Sequence, residues 1–430
     1  MGHDGRRSRV AIACQGGGSH TAFTAGVLKR LFDSGEMARH DVVGLSGTSG
    51  GAVCALLAWS ALVEGTPDRV GSRLTDFWTA NSATTPLQRL VNSWVVGTST
   101  LQNFGTAPAV SPYDTPTVAL AQFRDLLSSQ LDFDRVDVDV RAQLPMLLIG
   151  AVDVLSGEFR AFNSRRDRIT PDTVLASAAI PNLFPAVRTD EGTYWDGLFS
   201  QNPPVRELLD TRPDEIWVIQ INPKETEFEP TTLVEIADRR NELAGNLSLY
   251  QELHFIEELN RLLDQGVLAA GDGHGHVVVR IIELSRTRAS PLWGAASKLD
   301  REPGFLRELI ELGEKQATEF LTALSFEDAW GGHDADGVAR FCTDDTEAVS
   351  SAPFPERGPV RGRAEVHRFV QHHFTSAVRM DLSHKQVVRD RVTWTANGPV
   401  EHGGPAVEGR CEVTFAGETV TRLQLGAAAP

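Results

Sequence analysis

Lysine is scarce in this 430-residue chain: five stand among 41 basic residues, against 57 acidic ones, and the formal net charge is −16. A chain this acidic lacks the basic footprint that nucleic acid requires and is not captured by anionic membrane surfaces. Long apolar runs are missing as well. The longest, Ala52 to Val63 (AVCALLAWSALV), falls short of the roughly 20 residues needed to cross a bilayer. Met1 to Arg9 is polar and basic with no apolar stretch behind it, so no secretory signal is expected. The expectation is a cytoplasmic protein with at most transient peripheral membrane contact. Cysteines are few and scattered. Cys14 and Cys54 lie in apolar runs and read as small core residues, Cys342 and Cys411 lie far from them, and no metal-ligand spacing is formed. Free thiols suit a reducing compartment. Neither a metal nor a cofactor is expected, and no internal repeat is found.

What is present is ordinary globular composition, 41% hydrophobic and 23% charged, in a chain too long for one core. Arg9 to Cys14 (RVAIAC) reads as a buried strand, followed by Gly16-Gly17-Gly18, Ser19 as a helix cap, and Phe23, Val27, Leu31 and Phe32 at helical spacing. Asp41 to Leu45 reads as a second strand, running through Gly47-Thr48-Ser49-Gly50-Gly51 into the apolar helix from Ala52. Two strand–glycine turn–helix units in succession predict an α/β fold with a mostly parallel sheet flanked by helices. Asn81 to Thr115 reads as an insertion over the sheet's active edge. Strands are predicted at Leu144 to Val154, Glu215 to Ile221 and His276 to Leu284. Helices are predicted at Asp238 to Leu268 and Gly304 to Leu324. After Ser325 the pattern changes to helices at Phe326 to Phe341 and Ala364 to Phe374, then strands at Arg379 to Gln386, Val387 to Ala396 and Val407 to Leu425. This predicts a small α+β domain over 325–430, behind a first domain over 1–324.

Gly47 to Gly51 fits G-x-S-x-G in the context that motif needs, with a strand entering and a helix leaving. Gly47, Gly50 and Gly51 leave room for a strained turn, and Ser49 stands at a helix N-terminus, where a developing oxyanion is favoured. The alternative is a tight turn with no chemistry. The run Gly16-Gly17-Gly18 could cradle phosphate or an oxyanion. Thr21 stands where a dinucleotide loop needs its last glycine, and the serine elbow thirty residues on favours the oxyanion. Asp196, in Tyr194-Trp195-Asp196-Gly197-Leu198 before Asn202-Pro203-Pro204, is by itself an ordinary turn residue.

GGGS after the first strand, GTSGG after the second and DG before NPP, in this order, resemble the patatin-like phospholipase family over roughly Arg9 to Leu324, as does Leu175 to Pro185 (LASAAIPNLFP). The resemblance implies a serine acyl hydrolase acting on a lipid or acyl ester. Ser49 would be its nucleophile, Asp196 its base, and Gly16, Gly17, Gly18 and Ser19 its oxyanion loop. Two departures stand out: His20-Thr21 replaces the family's basic residue in the loop, and Leu198 occupies a position where the family has a small residue. The C-terminal unit resembles the SnoaL-like, nuclear-transport-factor-like cone through Ala329-Trp330, Asp334-Ala335-Asp336, Phe341-Cys342 and Gly362. That likeness implies a ligand cup, an enzyme or a homodimerisation module, with His367, His372, His373 and His384 as solvated or packed side chains.

Other readings stay open at this level. A Ser-His-Asp triad could take His254, His274 or His276 as its base. The same dyad could pass the acyl group to an acceptor other than water, or the fold could be a non-catalytic lipid-binding adaptor. Gly273-His274-Gly275-His276 reads as a surface loop lacking a third metal ligand, and Trp293 and Trp330 read as core or interface anchors.

Overall fold

The computed structural model describes residues 7–103, 111–114, 118–133, 144–181, 183–226, 229–268, 275–284, 293–352, 354, 356–375, 381–388, 391–398 and 407–427. The chain divides into two compact units. The first comprises Met1–Val277 with Leu284–Glu314, and the second Val278–Glu283 with Lys315–Pro430.

The first unit runs β1 (Ser8–Cys14), α1 (Ala22–Asp33), β2 (His40–Thr48), α2 (Gly50–Val63), α3 (Val70–Asn81), α4 (Pro86–Asn103), α5 (Val118–Gln130), β3 (Met146–Asp153), β4 (Phe159–Asn163), α6 (Pro171–Ala178), β5 (Val187–Arg188), β6 (Thr193–Asp196), β7 (Glu215–Gln220) and α7 (Leu233–Asp264). Its sheet has the order β7-β1-β2-β3-β6-β5, with β4 also on β3. The pairs β7–β1, β1–β2 and β2–β3 are parallel, and β4 and β6 lie antiparallel to β3. In such a sheet ligands gather at the carboxyl ends of the strands, where the connecting turns meet. The middle strands are unbroken apolar runs because both faces are covered; Val10 to Cys14 and Ile216 to Ile219 are wholly buried. Helix α2 carries no polar face for the same reason, being buried from Gly51 through Ala61.

The second unit begins with β8 (Val278–Glu283) and takes in the later part of α8 (Pro303–Gly331). It then runs α9 (Ala335–Arg340), β9 (Cys342–Ser350), β10 (Arg357–Arg361), α10 (Arg363–Thr375), β11 (Asp381–Val388), β12 (Arg391–Gly398), β13 (Val407–Ala416) and β14 (Thr419–Ala427). Its strand order is β10-β9-β14-β13-β12-β11-β8. Phe326 stacks on Trp330 at 5.9 Å between ring centroids, and Phe415 meets Phe326 edge-on at 6.1 Å. The Arg280 guanidinium forks onto Glu327 at 2.6 and 2.9 Å.

Several boundaries differ from those the sequence suggests. The segment read as an insertion from Asn81 contains α4, an 18-residue helix. Its Asn92 turns inward, donating to Asp300 Oδ1 at 2.7 Å and accepting from the Arg301 amide at 2.9 Å. Helix α8 runs without a break past Ser325, since that stretch has no glycine or proline to end it before Gly331. The strand read over Val407 to Leu425 is a hairpin, folded at Gly417 with φ 62°. The polar strands β9 and β10 carry no periodicity that the sequence revealed.

Candidate active site

β1 and β2 lie side by side in parallel register, Cys14 opposite Gly47, and each leaves the sheet through a glycine turn. The glycine loop and the serine elbow therefore share one edge of the sheet. At the elbow Ser49 has φ 56° and ψ −129°, a left-handed φ that side chains rarely adopt and that costs of order 1–3 kcal/mol. The sharp reversal demands it. A Cβ at Gly47 would stand 2.4 Å from the Gly51 carbonyl oxygen, one at Gly51 2.3 Å from that of Cys14, and one at Gly50 2.1 Å from Thr21 Oγ1.

The strained turn is held from outside. The Ser49 amide donates to Ser177 Oγ at 2.9 Å, and Ser177 Oγ donates to the Gly150 carbonyl at 2.6 Å. Ser177 is wholly buried in α6. It lies inside LASAAIPNLFP, yet nothing in its local sequence marks it as the elbow's anchor. Ser177→Ala leaves one buried amide and one buried carbonyl without this partner. It is expected to cost about 1–3 kcal/mol, measured by chemical denaturation, with a lower turnover rate as the elbow loosens.

Asp196 ends β6, and the register carries it to the serine: Thr48 pairs with Gly150, and the next residue, Ala151, pairs with Asp196. The Asp196 amide donates to the Ala179 carbonyl at 3.0 Å, just past the end of α6. Its Oδ1 accepts the Leu198 amide at 2.8 Å, capping the short 3₁₀ turn Gly197–Phe199. Burial pushes the carboxyl up to about 7; the Leu198 amide, a hydrogen bond with the Ser49 side chain and the charge of Lys298 pull the other way. Serine and aspartate are both buried, and the Ser49 side chain is among the groups that act on the carboxyl.

The glycine loop crosses above them. The Gly16 amide donates to Asn202 Oδ1 at 2.7 Å, and a Cβ at Gly16 would lie 3.1 Å from that of Ser49. The Gly16 amide is thereby committed to Asn202, so Gly17, Gly18 and Ser19 are the remaining amide donors of the loop. Gly18 has φ 57°, and a Cβ there would stand 2.2 Å from the Lys298 carbonyl oxygen, so only glycine fits. His20 turns away from the loop: its Nε2 lies 2.8 Å from Ser297 Oγ and its ring edge meets Phe305. The cation acting on Asp196 is the next residue after that serine, Lys298, on a segment remote in sequence that no motif pointed to. Leu198 is half-buried and extends toward Gly245 of α7.

The histidines considered for a triad stand elsewhere. His254 is exposed on α7 beside Glu257, His276 is exposed, and His274 lies outside the described residues. In the second unit His367 pairs with Asp336 at 2.9 Å, and His372 is exposed. His373 is buried between Trp330 and Phe354, where burial pushes its pKa down to about 4. The side chain of His384 lies outside the described residues. Trp293 and Trp330 are both buried. Among the described residues no group of three His, Cys, Asp or Glu side chains is arranged to hold a metal ion. No helix among them is long and apolar enough to cross a membrane.

Residues 12–209 match the family model of patatin-like phospholipases, and residues 323–423 match that of the SnoaL-like domain. No curated protein matches the chain. An NTF2-like protein of unknown function from Mesorhizobium loti, of solved structure, is 17% identical over 26% of this chain and 92% of its own, with a TM-score of 0.24. An NTF2-like protein from Burkholderia xenovorans LB400 is 20% identical over 25% of this chain and 87% of its own, with a TM-score of 0.22. A stretch similar to patatin-like phospholipases is thus followed by one similar to the SnoaL-like domain.

Proposed function

We propose that this chain, with a patatin-like phospholipase domain over residues 12–209 and a SnoaL-like domain over residues 323–423, hydrolyses carboxylic ester bonds of lipids through Ser49 and Asp196. The observation that carries the reading is the pairing of Thr48 and Asp196 with adjacent residues of β3, Gly150 and Ala151, which brings the strained elbow serine to a carboxyl that burial raises to about 7. A serine hydroxyl is a weak nucleophile until a positioned base takes its proton. A base whose pKa lies near the working pH does this best.

In the first half-reaction Ser49 Oγ attacks the ester carbonyl as its proton passes to the Asp196 carboxylate. The oxyanion rests against the amides of Gly17, Gly18 and Ser19 and the N-terminal end of α2. The alcohol leaves with the proton that Asp196 held, and the acyl group stays on Ser49. A water molecule, giving a proton to Asp196, then attacks this ester. Ser49 is released with that proton, and the fatty acid departs.

The base must be ionised to act. Because burial holds Asp196 at about 7, activity is full above that pH and falls about tenfold per unit below it. The measurement is kcat/KM on a short-chain acyl ester between about pH 5 and pH 9, alongside a phospholipid panel. A flat profile across that range removes Asp196 from the base role. Absence of turnover on every ester in the panel removes the hydrolase reading itself.

A further inference from the structure

Asn202 opens the Asn202-Pro203-Pro204 stretch that follows the Asp196 turn, and it is wholly buried. Both polar atoms of its side chain are engaged by main chain. Oδ1 accepts the Gly16 amide at 2.7 Å, and Nδ2 donates to the Gly245 carbonyl of α7 at 3.2 Å. Its own amide donates to Ser248 Oγ, on the same helix, at 3.1 Å. The preceding residue holds the serine elbow: the Gln201 carbonyl accepts from Thr48 Oγ1 at 2.7 Å. The glycine loop reaches the same point of α7 from its other side. Gln15 Nε2 donates to the Gly245 carbonyl at 3.2 Å and to Asn246 Oδ1 at 2.9 Å. One peptide oxygen thus receives both the residue that leads into the glycine loop and a residue that follows Asp196. The approach requires glycine at that position, because a Cβ at Gly245 would stand 2.6 Å from Asn222 Nδ2.

We propose that Asn202 is a positioning residue of the oxyanion loop: by holding the Gly16 amide it seats the loop on the Ser49 elbow and aims the amides that follow, those of Gly17, Gly18 and Ser19, at the acyl oxygen. This rests on the Ser49–Asp196 reading and adds a residue to it. A carboxamide suits both neighbours at once, since it offers an acceptor to a backbone N–H and a donor to a backbone carbonyl. Gly16 sits close against the elbow, where a Cβ would lie 2.6 Å from the Thr48 carbonyl oxygen and 3.1 Å from Ser49 Cβ. A small displacement of the loop therefore changes its distance to the nucleophile. Because the Gly16 amide is buried, leaving its bond unmade is costly, and the loop stays where Asn202 holds it. Oxyanion donors stabilise the transition state only when they are aimed before the charge develops. A residue that does the aiming acts on kcat and leaves ground-state binding of the ester nearly unchanged.

Asn202→Ala, assayed on a short-chain ester well below its unfolding midpoint, is expected to lower kcat by about 10²-fold and to change KM by less than about threefold. Labelling of Ser49 by a serine-directed phosphonate, whose phosphoryl oxygen needs the same amides, should slow by a similar factor. Asn202→Asp separates aiming from packing, and it decides the question even if the alanine variant does not fold. A protonated carboxyl offers the same acceptor and donor as the carboxamide, whereas an ionised one meets the Gly245 carbonyl with no donor. Asp196, shortly before it in the chain, and Glu207 and Glu252, which accept from the neighbouring Gln201, are carboxyls and favour its neutral form. The kcat of Asn202→Asp relative to wild type should therefore be highest near about pH 6 and fall toward about pH 9. A ratio that does not vary with pH, or an Asn202→Ala variant with the kcat and labelling rate of wild type, leaves Asn202 a packing residue and overturns the proposal alone. A wild-type protein that neither takes up the phosphonate at Ser49 nor turns over any ester overturns the dyad reading, and this proposal with it.

Discussion

Replacing Ser49 by alanine is expected to lower ester turnover by a factor on the order of 10⁴ or more while the protein remains folded. The other hydroxyl of the elbow, Thr48, is committed to the Gln201 carbonyl at 2.7 Å, and the loop amides alone retain only the residual rate of a site without its attacking group. The measurement pairs kcat on a short-chain ester with labelling by a serine-directed phosphonate: wild type should take up one equivalent and Ser49→Ala none. Folding is the necessary control, because Ser49 sits at φ 56°. Alanine tolerates that conformation no better than serine, so the variant keeps the strain and its unfolding midpoint should lie close to wild type. Labelling of Ser49→Ala at another residue would mean that the nucleophile lies elsewhere.

Asp196→Asn should separate activity from stability in the opposite sense. Asparagine can still accept the Leu198 amide that Asp196 Oδ1 accepts at 2.8 Å, so the turn survives. It cannot take the serine proton, and kcat is expected to fall by about 10²–10⁴. Stability should rise at the same time. The folded carboxyl is held at about 7, above its ordinary value. Below that ordinary value both folded and unfolded chains carry the proton, and Asp196 is neutral to stability. As pH rises from about 4 to 7 the unfolded chain sheds a proton that the folded chain keeps, and burial of the carboxyl costs progressively more. Above 7 the cost is complete. Thermal unfolding should therefore find Asp196→Asn more stable than wild type at pH 8, with the gap closing toward pH 4. An equal gap at both values would mean that burial of the charge is not its cause. Such a result would make the proposed base an instance of the usual compromise between stability and activity.

The sequence was informative where short-range chemistry decides structure. Arg9 to Cys14 and Asp41 to Leu45 are strands because apolar β-branched runs bury well on both faces. The glycines that follow them have no alternative to a tight turn, so Ser49 could be placed on local grounds. Asp196 could not, because an Asp-Gly pair fits many turns. Only its register beside Ala151, through a strand pairing that no local pattern announces, sets it against the serine. Ser177 and Lys298 were hidden for the same reason. Each acts across more than a hundred residues of chain, through a single hydroxyl or a single ammonium. The stretch from Asn81 reads as an insertion without a defined element, and within it an amphipathic run from Pro86 folds as a helix. In α4 the residue turned inward is Asn92, while Leu87, Leu90 and Trp94 stand exposed. Polarity alone gives the wrong inside and outside there.

Ser49 and Asp196, the proposed dyad, are 147 positions apart (196 − 49), yet both are indexed to one strand, since β2 and β6 each pair with β3 at adjacent residues, Gly150 and Ala151. β3 acts as a ruler between them. The distance between Ser49 and Asp196 is set by the pleat of a hydrogen-bonded ladder and not by the length of chain that separates them. Insertions or deletions in the intervening loops can accumulate over evolution without altering that distance, whereas a one-residue slip of β3 would turn its side chains to the opposite face and separate the pair. Variation in sequence length is therefore tolerated around β3, and variation in its register is not.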